Sequence, residues 1–171
     1  HGKKFEEGTD NEKTLIDLGF ETKRLTSAKY GYYLEGQIND HSIIFVKHTG
    51  LKIYMQKIYD IACIRCPDEA YIIKCDNQLH IVIVEKKEQN VTGSVETKLW
   101  SGPSLKREYE IILGDKFYVS YCFTLSTYFK EKFSSNEKKY VVLKQILLES
   151  QIPVFYGDDE NYQQQITDFI G

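Results

Sequence analysis

An apolar run that ends in alternating charges, Leu79-His80-Ile81-Val82-Ile83-Val84 followed by Glu85-Lys86-Lys87, constrains this chain more than any other stretch. Read as a strand, it projects alternate side chains from one face. Glu85, Lys87 and Gln89 then stand together, and Lys86 points away. Across a short turn upstream lies Pro67-Asp68. Asp68 and Glu85 can hold a divalent cation between them, and Lys87 can hold or activate a water beside it. That is the minimum equipment for metal-assisted hydrolysis of a phosphodiester.

The flanking pattern predicts an α/β chain. Leu15 to Phe20 reads as a short helix closed by Gly19, and Lys23 to Lys29 as a loop. Tyr30 to Gly36 and Ser42 to Lys47 read as strands split by a turn at Asn39-Asp40. Leu51, Ile53, Tyr54, Ile58 and Ile61 fit one broad helical face. Strands are expected from Glu69 to Lys74 and from Leu79 to Gln89, joined by a turn at Asp76-Asn77-Gln78, with a loop at 90–94. Val95 to Trp100 starts a helical pattern that Gly102-Pro103 interrupts and Leu105 to Leu113 resumes. Phe117 to Leu125 reads as a buried strand, Tyr140 to Ser150 as a helix, Ile152 to Tyr156 as a short strand and Asn161 to Ile170 as a closing helix. The order from residue 51 implies a mixed sheet, its first two strands a hairpin and the later ones entering by crossovers.

A chain of 171 residues, 42% hydrophobic, is expected to form one domain over 1–171, with a frayed segment at 1–13. No apolar run approaches the roughly 18 residues a membrane helix needs. The start, His1-Gly2-Lys3-Lys4, has no Met and reads as processed or truncated. With no secretory leader in view, an intracellular, cytoplasmic location is expected. The formal net charge of −3 excludes a protein that coats nucleic acid by bulk charge, but it leaves room for a local basic cleft. Cys63-Ile64-Arg65-Cys66 lacks a second pair at zinc-ribbon spacing. Cys75 and Cys122 fall inside apparent strands and read as small core residues.

Pro67-Asp68 followed by Glu85-x-Lys87 at the end of the next strand resembles the PD-(D/E)xK nuclease superfamily, the fold of most type II restriction endonucleases. Gln89 extends the likeness, since E-x-K-x-Q occurs in several branches. The resemblance implies a restriction-endonuclease-like αβββαβ core over about residues 51–156, with a central mixed sheet flanked by helices. It implies Asp68, Glu85, Lys87 and Gln89 as catalytic residues. Asp68, Glu85 and the backbone carbonyl of Lys86 would bind Mg²⁺, for which Mn²⁺ can substitute. The expected function is Mg²⁺-dependent cleavage of double-stranded DNA, of restriction type, by a homodimer whose two sites cut both strands. A repair or recombination nuclease on the same core is one alternative, and a non-catalytic nucleic-acid-binding domain of this fold is another. Many members add an acidic residue from an upstream helix, for which Glu12 and Glu35 are the candidates.

A polar cluster follows the strand. Ser94, Lys98, Ser104, Lys106 and Arg107 are candidates for contacts to the phosphate backbone, with Gly93 allowing close approach. Trp100 reads as core rather than as a base-stacking wedge, and His48 as a surface turn residue. Gly157-Asp158-Asp159-Glu160 reads as an acidic cap for the last helix. The only sizeable candidates for base-reading loops are 20–50 and 125–140.

Overall fold

The computed structural model describes residues 9–87 and 94–171, with the side chains of 94 and 95 outside that description. A seven-stranded sheet runs in sequence order from β1 to β7. Its first half is an antiparallel meander: β1 (Glu21–Arg24), β2 (Tyr32–Ile38), β3 (His41–Lys47), β4 (Glu69–Lys74) and β5 (Leu79–Lys87). β6 (Phe117–Leu125) and β7 (Val154–Tyr156) then add parallel to β5. Parallel neighbours need long crossovers, and helices supply them. α3 (Ser94–Trp100) and α4 (Gly102–Leu113) join β5 to β6, while α5 (Thr127–Ser134) and α6 (Lys138–Glu149) join β6 to β7. α1 (Asn11–Asp17) precedes the sheet, and α7 (Tyr162–Ile170) closes the chain. α2 (Gly50–Tyr54) runs on into a π-helical turn at Met55–Tyr59, between β3 and β4.

The strands divide their side chains between two cores. Ile81 and Ile83 of β5 pack with Leu51, Leu99, Tyr109, Tyr121, Phe123 and Leu143 in the larger one. Val82 and Val84 pack with Leu15, Tyr71, Tyr162 and Ile166 in the smaller one. The sheet is therefore covered on both sides, which is why β4 and β5 read as nearly unbroken apolar runs. Each fully buried Ile, Leu or Phe contributes roughly 1.5–3 kcal/mol.

Local chemistry sets the corners. Asn39 and Asp40 both take positive φ, 50° and 66°, between β2 and β3. That is the two-residue hairpin turn whose twist matches the strands it joins. Gly102 lets α4 sit close on β6, since a Cβ there would lie 2.9 Å from Phe123 Cε2.

Several expectations need correction. Glu21–Arg24 is a strand rather than part of a loop; all four residues are exposed, so no burial pattern marks it. Thr127–Ser134 is a helix held by buried Phe129 and Phe133, so 125–140 is not a loop. The segment from Thr9 is not frayed: Thr9 and Asn11 are buried, and α1 begins at Asn11. Cys75 is exposed just past β4, whereas Cys122 is buried in β6. Trp100 is partly exposed, and its neighbour Leu99 fills the core instead. Asp158 caps α5 rather than the last helix, accepting hydrogen bonds from Thr127 N at 3.0 Å and Thr127 Oγ1 at 2.5 Å.

Candidate metal and phosphate site

The antiparallel register of β4 and β5 ends with Glu69 opposite Val84. One step beyond, Asp68 comes opposite Glu85. Residues directly opposite in such a pair share a face, so the two carboxylates meet at the end of the hairpin. Backbone bonds fix the turn that carries Asp68. His48 N donates to Pro67 O at 3.0 Å and to Asp68 O at 3.3 Å, with the His48 ring packed against Tyr30. Lys86 N donates to Asp68 Oδ2 at 2.7 Å. The N–H and C=O of an extended residue point to the same side. The Lys86 carbonyl therefore also faces Asp68, while its ammonium crosses to the other face.

Glu85 and Lys87 lie on the face of the larger core, their nearest N–O separation 3.5 Å and both side chains mostly buried. Burial raises the Glu85 carboxyl from 4.5 to about 7, and Asp68 pushes the same way, partly offset by Lys87. A carboxyl buried beside another acid resists ionising. Tyr109 and Tyr121 stand behind them. Burial, and then the Glu85 charge, push both phenols well above their usual range.

Glu85 and Lys87 open onto a cleft of about 700 Å³. Lys98 and Ser104 line it too. So do Ser101, from the polar stretch after the strand, and Arg65 and Glu108, which the sequence does not single out. Arg65 Nε meets Glu108 Oε2 at 2.5 Å, bridging the loop before β4 and helix α4. Their only local signal is that Arg65 lies three residues before Asp68; the two partners are 43 residues apart.

Other expected residues are occupied elsewhere. Lys106 Nζ donates to Ser150 O at 2.9 Å, closing the end of α6. Arg107 projects outward, 3.7 Å from Glu110, and does not line the cleft. Glu12 pairs with Lys47 at 2.5 Å, on a helix whose Leu15 packs in the smaller core, the far side of the sheet from Glu85. Glu35 pairs with Lys23 at 2.5 Å, three strands from β5. Neither supplies a third carboxylate. Gln89 and the Ser94 side chain lie outside the described residues.

Among the described residues no group of three or more His, Cys, Asp or Glu side chains converges for a metal. All four cysteines are free thiols, and Cys63-x-x-Cys66 gathers no further ligand. A closed protein cage is thus absent from that part of the molecule. The open arrangement of two carboxylates and a backbone carbonyl is the kind Mg²⁺ takes, completed by water and substrate oxygens. The donor set fits a hard divalent cation.

Comparisons with protein-family models, with curated proteins and with solved structures give no significant match. Among the described residues no helix is long and apolar enough to cross a membrane.

Proposed function

We propose that this protein is a Mg²⁺-dependent DNA endonuclease of the restriction-endonuclease-like kind. One observation carries the reading: Asp68, from the turn before β4, and Glu85 and Lys87, from the end of β5, converge beside a cleft that also holds Lys98, Arg65, Ser101 and Ser104. The succession β3-β4-β5, helices, β6 supports it as well, since three antiparallel strands are followed by a crossover to a parallel fourth. That succession starts at His41, earlier than the core of residues 51–156 inferred from the motif.

Asp68 and Glu85, with the Lys86 carbonyl, would hold the cation, which would supply screening of the phosphate charge and a more acidic water. Lys87 donates from Nζ to the attacking water and to a phosphate oxygen, a position it can take because Glu85 alone holds it among the described ion pairs. Lys98, Ser101 and Ser104 seat the neighbouring phosphate, and Arg65 stays aligned through Glu108. Mn²⁺ serves in place of Mg²⁺. A homodimer supplies the second site for the opposite strand, and light scattering in solution checks its mass.

The test is a panel of end-labelled duplex DNA, single-stranded DNA and RNA, with Mg²⁺, with EDTA, and with Lys87→Ala. Duplex products that vanish with EDTA and fall by roughly 10²–10⁴ in Lys87→Ala are expected. No cleavage of any of them by folded protein would overturn the proposal.

A further inference from the structure

Behind the site, on the other face of the sheet, lies a second charged pair. Glu69 follows Asp68, and Lys86 sits between Glu85 and Lys87. Strand alternation therefore turns both to the reverse side. Lys86 Nζ meets Glu69 Oε2 at 2.7 Å, with side chains 14% and 2% exposed. Lys86 Nζ also donates to Thr9 O at 2.6 Å. Asn11 donates to Glu69 from Nδ2 at 2.5 Å and from its backbone N at 3.4 Å.

We propose that the buried Glu69–Lys86 pair, clasped by Thr9 and Asn11, is the positioning device of the site. From behind the sheet it holds the ends of β4 and β5 together where Asp68 and Glu85 repel each other in front. The proposal rests on the reading of Asp68, Glu85 and Lys87 as a hydrolytic centre.

Stability does not account for the pair. Desolvating two charges costs most of what their attraction returns, and a well-packed apolar pair is usually as stable or more so. Its location has a use. The β4–β5 ladder ends at Glu69 and Val84, so although β6 pairs with Glu85 and His48 holds Asp68, no ladder step joins the two acids to each other. Lys86 of β5 crosses to the β4 side twice, with its amide on Asp68 and its ammonium on Glu69. The N-terminal segment, 58 to 77 residues away in sequence, locks the reverse side. The Glu69 and Lys86 side chains touch no reacting atom in this scheme; they act through their neighbours.

The experiment compares wild type with the double variant Glu69→Leu/Lys86→Met and with Lys86→Arg. It reads backbone amide exchange at Lys86 and Val82 in metal-free protein, and Mn²⁺ affinity by calorimetry. The double variant is expected to unfold cooperatively and keep Val82 protection. It should lose Lys86 protection by about tenfold or more and Mn²⁺ affinity by roughly 10–100-fold. Lys86→Arg should restore both. Unchanged Lys86 exchange and Mn²⁺ affinity in the folded double variant would overturn the proposal. If wild type binds no Mn²⁺, the hydrolytic reading falls, and the exchange data still decide the clasp. Should the double variant not fold, Asn11→Ala removes one donor to Glu69 and is read by the same two measurements.

Discussion

Glu85 couples the chemistry of the site to the stability of the fold. In the metal-free protein its carboxyl is raised from 4.5 to about 7, first by burial and then by Asp68. The folded state therefore holds this proton more tightly than the unfolded chain. Its contribution is fully present below about pH 4.5 and is lost as pH rises through 7. Glu85→Gln should thus stabilise metal-free protein at pH 8 by on the order of 2–3 kcal/mol and change little at pH 4. Urea unfolding at the two pH values checks this; equal effects at both would place Glu85 in an unstrained setting. At the same scale the cleft separates two lysines that look alike in sequence. Lys98→Ala should weaken DNA binding and lower its salt slope by about one. Lys106→Ala should leave binding alone and cost stability, because its ammonium closes α6 on Ser150. Binding isotherms at several salt concentrations, beside thermal melts, distinguish the two. Asp68, Glu85 and Lys87 were legible because a two-residue period and one hairpin suffice to bring them together. Arg65 and Glu108 were not, since only the packing of α4 on the sheet unites residues so distant in sequence.

At the scale of elements, α4 builds one wall of the cleft and depends on Gly102 to lie close to β6. A Cβ there would stand 2.9 Å from the Phe123 ring and 3.4 Å from Ile152 Cδ1. Gly102→Val should push the helix outward, cost about 1–3 kcal/mol and reduce cleavage by moving Lys98 and Ser104 from their places. Thermal melts and single-turnover cleavage read both effects; a variant with wild-type stability and rate would show that α4 tolerates displacement. The boundaries of β4 and β6 follow from their apolar runs, which end where the strands end. β1 left no such trace, being a four-residue exposed edge strand whose pairing with β2 is made by backbone. α5 carried its signal in Phe129 and Phe133, four residues apart and both buried, within an otherwise polar stretch.

For the whole molecule, a net charge of −3 means that the proposed attraction to DNA would come from one place rather than from the surface at large. Lys87, Lys98 and Arg65 bring positive charge to the cleft, where Glu85 and Glu108 also lie. The two cores back the sheet on both faces, so that the mouth of the hairpin is held in front by α4 and behind by α1 and α7. The most direct measurement is conversion of supercoiled plasmid by wild type and by Asp68→Asn, each with Mg²⁺ and with EDTA. Nicked and linear products are expected from wild type with Mg²⁺ alone, with a loss of at least about 10²-fold in Asp68→Asn. Cleavage that persists in EDTA or survives Asp68→Asn, or intact plasmid after prolonged incubation with folded wild type, would contradict metal-dependent cleavage at this site.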